Sequence, residues 1–174
     1  MNDVLQVLMR RRSIRKYTDQ PIGEDQLQQI LQAGLVSESA HNRKAYELLV
    51  VRDREMLKKM SGCRQGSARH LAGADAAIVV LGKPVADTWI EDSVIVLANM
   101  HLTAAALGIG SCIIQGRMRY ASDGRTTEEY LRELLKYPED MPLQGMLALG
   151  MPAEERPVYR AEDLPWEKVH RETY

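Results

Sequence analysis

The chain has 174 residues, about one domain by the usual ~100–200 residues, and a domain of that size buries roughly 70% of its unfolded surface, so no disulfide or metal staple is needed. Its 23 basic and 24 acidic residues leave a net charge of −1, which argues against a general nucleic-acid binder. With 45% hydrophobic and 27% charged residues, the composition is that of a globular domain and excludes a disordered chain.

In chain order, Asn2 or Asp3 can cap a short helix through Met9, closed by Arg10–Arg11–Arg12. Arg15 to Tyr17 reads as extended, and Thr18 to Ile22 as a turn. Leu27, Ile30 and Leu31 mark a helical stripe over 24–33, with Gly34 as its terminator. Tyr46 to Val51 is a β-branched run and hence a strand. A short helix follows over 54–60, then a glycine-bearing basic loop over 62–73. Ala76 to Leu81 reads as a buried strand. Residues 89–107 form the longest helix, apolar on most sides and so a core helix, ended by Gly108 and Gly110. Cys112 to Ile114 is a strand. Thr126 and Glu129 form a capping box for a helix through Lys136. Gln144 to Leu149 is the last strand, and residues 151–174 read as a polar, extended C-terminal arm. Four or five strands separated by helices give an α+β or mixed α/β three-layer domain.

No run reaches the ~18 uncharged apolar residues of a membrane span, and the first residues lack the pattern of a secretory signal. Cys63 and Cys112 read as buried thiols in a reducing cytoplasm. The four histidines form no H-E-x-x-H and no cluster, so no metal is expected.

Three segments could carry chemistry. Arg11, Ser13 and Arg15 project to one side of an extended chain. Two guanidinium forks and a hydroxyl match a phosphate, although basic residues at a helix C-terminus also stabilise its dipole by ~0.3–1 kcal/mol without a ligand. Gly108-Ile109-Gly110 lies on a helix-to-strand turn, the reverse of the strand-to-helix order that a dinucleotide fingerprint needs, so a nicotinamide-binding Rossmann domain is excluded. Ser39-Ala40-His41-Asn42 is a polar loop between helix and strand. No G-x-S-x-G or Ser/His/Asp arrangement is present. The neighbouring carboxylates Glu38/Glu47 and Glu154/Glu155 read as solvated surface. If the protein is an enzyme, a cofactor does the chemistry.

Taken together, Arg11-Arg12-Ser13-Ile14-Arg15, the loop from Ser39 to Tyr46, Ala104-Ala105-Ala106-Leu107-Gly108-Ile109-Gly110-Ser111 and Leu149-Gly150-Met151-Pro152 resemble, in this order, the FMN-dependent nitroreductase family. The resemblance covers most of residues 5–160. It implies an α+β fold, a nitroreductase-like three-layer α/β/α sandwich with a mixed, mainly antiparallel sheet and a long central hydrophobic helix, as a single FMN-binding domain over 1–174. It also implies an intertwined homodimer, its central helices packed together and two FMN sites at the interface.

By the same resemblance, Arg11, Arg12, Ser13 and Arg15 hold the FMN phosphate, ribityl chain and ring edge. Ser39 and Asn42 reach the flavin of the other subunit. Ile113, Gln115 and Gly116 lie beside the isoalloxazine, where a backbone N–H approaches N5, and Arg160 in the tail contacts the phosphate. The chain departs from the family pattern at Lys44-Ala45-Tyr46, which replaces Gln-Pro-Trp, and it leaves little room between 116 and 127 for a large substrate lid.

The activity implied is ping-pong hydride transfer, from NADH or NADPH to flavin N5 and then to a nitroaromatic, quinone or similar small acceptor, with no side chain required as acid or base. Dehalogenation, flavin destruction or flavin binding without turnover are alternatives on the same residues. A nucleic-acid-interacting domain using residues 10–16, five of them basic, is the remote one. No residue that reads the nicotinamide ribose is identifiable, so the sequence does not choose between NADH and NADPH.

Overall fold

The computed structural model describes residues 2–174. Helix α1 (Asp3–Arg10) is capped by Asn2, whose side chain accepts the Leu5 N–H at 2.8 Å, an interaction worth about 1 kcal/mol. None of its residues is buried, and Val4, Leu5 and Leu8 face outward. The chain next runs without helix through residues 11–17, then enters α2 (Glu24–Leu35), which turns Leu27, Ile30 and Gly34 inward. Gly34 was expected to stop this helix. It instead lies inside it, where a Cβ would come within 2.9 Å of Met100 Sδ, so the glycine is a packing position.

Strand β1 (Tyr46–Val51) is followed by α3 (Arg54–Met60), capped by Asp53, and by β2 (Ala76–Gly82). Helix α4 (Trp89–Ala106) crosses one face of the sheet and ends in a Schellman motif: Ile109 N–H donates to Ala104 O at 2.8 Å, Gly108 N–H to Ala105 O at 3.2 Å, and Gly108 takes φ 75°. Glycine adopts that left-handed angle without the steric cost a Cβ brings. Strand β3 (Gly110–Gln115) follows. Helix α5 (Thr127–Leu135) starts at the Thr126–Glu129 capping box, and β4 (Leu143–Gly150) completes the set.

The sheet order is β1-β2-β4-β3, with every named pair antiparallel. Among the described residues the parallel contact is a single bridge between Ser13 and Ser111, beside β3. The two central strands, β2 and β4, are buried along their whole length, because helices cover both faces. Leu57, Met60, Leu131 and Met146 fill the α3/α5 side; Ile30, Met100, Leu147 and Leu149 fill the α2/α4 side. The result is an α+β, three-layer α/β/α sandwich.

Residues 151–174 lie along the surface with two short 3-10 turns, Ala161–Asp163 and Trp166–Lys168. Among the described residues no helix is long and apolar enough to cross a membrane.

Candidate functional site

The extended segment after α1 is fixed on both sides. Ile14 N–H donates to Ser111 O at 2.9 Å, seating the segment against β3. Arg15 N–H donates to Glu154 Oε1 at 2.7 Å, Thr18 N–H to Met151 O at 2.8 Å, and Ala153 N–H to Lys16 O at 2.9 Å. Glu154 is therefore a clasp on the basic segment and not the solvated carboxylate the sequence suggested. That bond, chiefly, holds its carboxyl below the usual range, with Arg156 adding to it. Gly110 and Gly150 pair across β3 and β4. A Cβ on Gly110 would meet Ile14 Cγ2 at 2.9 Å, and one on Gly150 would meet the Tyr17 ring at 2.7 Å. The segment thus docks where the sheet carries no side chains.

Arg11 leaves this segment toward α4. Its Nη1 lies 2.8 Å from His101 Nε2, and His101 Nδ1 lies 2.6 Å from Ser111 Oγ. Guanidinium can only donate, so Nε2 is the acceptor and Nδ1 carries the proton. Burial pushes His101 down to about 4, and the Arg11 charge adds in the same direction; the ring is neutral. The Arg12 guanidinium stacks over Tyr159, 4.4 Å from its ring centre, while Tyr159 N–H donates to Met9 O at 3.0 Å. Arg10, Arg11 and Arg12 line a cleft of about 180 Å³ shared with Gly108, Glu154 and Arg156.

On the other side of the segment is a cavity of about 490 Å³, lined by Arg15, Arg64, Gly66, Ser67, Arg69, His70, Cys112 and Ile113. That volume lies within the ~300–1,000 Å³ typical of ligand pockets. Three guanidiniums make it strongly positive. His70 lines it, and its Nε2 is buried without a hydrogen-bond partner; burial, and then the Arg15 charge, push the ring down to about 4. Burial also raises the Cys112 thiol, against the opposing charge of Arg15 and hydrogen bonds from the Ser13 and Arg15 side chains. Arg15 lines this wall, and Ser13 pairs with Ser111, the neighbour of Cys112.

The structure thus brings Arg11, Arg12, Ser13, Arg15 and Ile113 together around one edge of the sheet. Ser39 and Asn42 lie elsewhere in the same chain. Ser39 Oγ accepts the Lys44 N–H at 2.9 Å, and the loop is pinned to the start of α4 by Ala40 N–H donating to Asp92 Oδ1 at 3.1 Å. From Asp92 to His101 is about 14 Å along the helix axis, at ~1.5 Å per residue. Gln115 accepts from Arg119 Nη2 at 3.2 Å, and Gly116 N–H already donates to Gln144 O at 3.3 Å. Arg160 is exposed, its guanidinium engaged by Asp163 at 2.8 Å.

Sequence reading missed Arg64, Arg69 and His70, which sit in the basic, glycine-bearing loop that had no assigned role, and it missed His101 and Glu154. The signal for the first group was the local density of Arg and Gly between 64 and 70. His101 carried no signal beyond a lone histidine on an apolar helix.

The family model for the nitroreductase family matches residues 8–64 and 63–151. An Archaeoglobus fulgidus protein with the provisional name NADH dehydrogenase/NAD(P)H nitroreductase is 37% identical, covering 100% of both chains. A Bacillus subtilis FMN reductase [NAD(P)H] is 32% identical over 100% of this chain and 75% of its own length. A solved FMN-dependent nitroreductase from Clostridium difficile superposes with a TM-score of 0.94 at 36% identity, over 98% of this chain and 99% of that one.

Proposed function

The chain belongs to the nitroreductase family, and from that membership and the arginine-lined cavity we propose that it is an FMN-dependent oxidoreductase that takes hydride from NADH or NADPH and delivers it to a small acceptor such as a nitroaromatic or a quinone. The observation that carries this reading is the cavity of about 490 Å³ flanked by Arg15, Arg64 and Arg69. Its donor set suits FMN. Guanidiniums and a hydroxyl match a phosphate and the oxygen-rich edge of a flavin ring.

Bound FMN supplies a two-electron hydride carrier. The chain's own residues bind and tune. Arg11, Ser13 and, beside them, Arg12 take the phosphate and ribityl chain, with Arg160 of the tail as a further phosphate contact. Arg15 and Arg69 bring positive charge to the ring cavity, which favours added negative charge there. Ile113, Gln115 and Gly116 border the ring. Neutral His101 holds the Arg11 guanidinium in place through its Nε2.

In the same reading the chain works as a homodimer with FMN at the interface, in the cytoplasm, where reducing conditions keep Cys63 and Cys112 as thiols. Support comes from the exposed apolar side chains of α1 and from Val94, 46% exposed on α4. The separation of Ser39 and Asn42 from Arg11 within one chain also favours it, since a partner copy can bring that loop to the site.

Purified protein is expected to be yellow and to release FMN on denaturation. Replacing Arg11 and Arg15 with Ala should lower the flavin-to-protein ratio; unchanged flavin content would remove the phosphate-clamp assignment. Consumption of NADH or NADPH against a panel of acceptors separates reduction from other flavin chemistry.

A further inference from the structure

Where β3 ends, Gly116 and Arg117 both donate their amide N–H to Gln144 O, at 3.3 and 3.2 Å. The chain then turns at Met118, exposed and at φ 55°, a left-handed conformation uncommon for a residue with a side chain. The turn sets Arg117 and Arg119 on the rim of a second cavity, about 240 Å³, completed by Gln115, Met118 and Gln144. Arg119 contacts two uncharged oxygens, Gln115 Oε1 at 3.2 Å and Met118 O at 3.3 Å. The Arg117 guanidinium has no hydrogen bond or ion pair among the described residues. Gln144 is 8% exposed, and its Oε1 is buried without a partner. A buried acceptor without a partner is destabilising, and a ligand donor would relieve it.

This cavity borders the larger one. Ile113 and Gln115 are two positions apart on one face of β3, one in each lining. Gln65 N–H donates to Tyr120 O at 3.0 Å, tying the loop that carries Arg64 and Ser67 to the turn that carries Arg117 and Arg119.

Resting on the larger cavity as the FMN site, we propose that Arg117, Arg119 and Gln144 form an anion-reading subsite for the reactants that exchange hydride there. The guanidiniums take a phosphate or carboxylate substituent of the reactant, and Gln144 Oε1 accepts an N–H such as that of a carboxamide. A reduced nicotinamide dinucleotide carries both groups; an anionic acceptor carries the first. The short connection between 116 and 127 places Arg117 and Arg119 on this cavity.

Stopped-flow kinetics on the FMN-loaded protein tests this. The reductive half-reaction is run with NADPH, NADH and an uncharged N-benzyl dihydronicotinamide, and the oxidative half-reaction with para-nitrobenzoate and nitrobenzene. The double variant Arg117→Ala/Arg119→Ala should keep its FMN. Its second-order rate constant should fall about tenfold for an anionic reactant relative to the uncharged counterpart, the scale of one charge-assisted hydrogen bond. A fall with NADPH but not NADH assigns the ribose phosphate. Equal falls with both dinucleotides assign the pyrophosphate, and a fall confined to para-nitrobenzoate assigns the acceptor carboxylate. Gln144→Met should slow all three hydride donors, each of which has a carboxamide, and not nitrobenzene; donors unaffected by that change remove Gln144 from the subsite. Unchanged anionic-to-uncharged ratios in both half-reactions overturn the subsite and leave the FMN reading standing. A wild-type protein that binds no FMN overturns both.

Discussion

The guanidinium of Arg11 donates to His101 Nε2 at 2.8 Å across 90 positions of sequence, and the same ring donates its Nδ1–H to Ser111 Oγ at 2.6 Å. One buried imidazole therefore joins the basic segment, the central helix and the start of β3. His101→Leu removes the acceptor that orients Arg11, and the expected result is an FMN dissociation constant raised about tenfold, the scale of a hydrogen bond to a charged group. His101→Gln should recover most of the affinity, because an amide can accept from Arg11 and donate to Ser111. Fluorescence titration of flavin-free protein with FMN measures both. Equal losses in the two variants would mean that the ring acts through packing.

The same histidine predicts acid sensitivity. Histidine in an unfolded chain titrates near 6.5; in the fold burial, then the Arg11 charge, push His101 down to about 4. Between these values the unfolded chain binds a proton that the folded chain refuses, so stability falls as pH drops from ~6.5 toward ~4 and the effect saturates below. His70 shifts in the same direction for the same reason. The loss from His101 alone is on the order of 3 kcal/mol at ~1.4 kcal/mol per pH unit. Urea unfolding of flavin-free protein at about pH 7 and about pH 4.5 should show this drop, and His101→Gln should remove the His101 share and leave that of His70.

Periodicity and capping made most of the fold legible. The Thr126–Glu129 box and the buried run from Ala76 state their structures locally, and β1, α3 and α4 fall within a residue or two of their expected bounds. Gly34 was misread because a glycine near a helix end looks the same whether it terminates the helix or makes room for Met100, and only the packing of α2 on α4 distinguishes the two. The site was half legible for a related reason. Arg11 to Arg15 are contiguous and announce themselves, whereas Arg69, His101 and Glu154 join the same neighbourhood from α4, a loop and the tail, through contacts between positions far apart in the chain.

Gly150 offers a test of how the segment docks. Its missing side chain admits the Tyr17 ring, whose hydroxyl donates to Ile14 O at 2.7 Å. Gly150→Ala puts a methyl 2.7 Å from that ring. The ring cannot retreat without moving the backbone of residues 14–17, which positions Arg15. The expected cost is ~1–3 kcal/mol, as for overpacked cores, with a lower flavin-to-protein ratio even where the protein remains folded. Gly66→Ala is the contrast: no atom lies within 4 Å of its Cβ, and only its φ of 70° is strained, so flavin loss there would come from the cavity wall and not from the segment.

Helix α4 packs Val96, Met100 and Ala104 into the core yet leaves Val94 46% exposed, and α1 leaves Val4, Leu5 and Leu8 between 42% and 68% exposed. Exposed apolar side chains on two neighbouring helices are surface that an interface can cover, and an obligate interface resembles a core cut in half. A charge placed there is desolvated in a dimer and costs several kcal/mol per ion, while in a monomer it stays hydrated. Val94→Glu should therefore convert a dimer to a monomer by size-exclusion light scattering, with far-UV circular dichroism preserved. On the proposal of a shared site, flavin should be lost along with the dimer, because there the Ser39–Asn42 loop of one copy completes the Arg11 segment of the other. A Val94→Glu protein that stays dimeric would remove Val94 from the interface, and a monomer that retains its full flavin would place the site within a single chain.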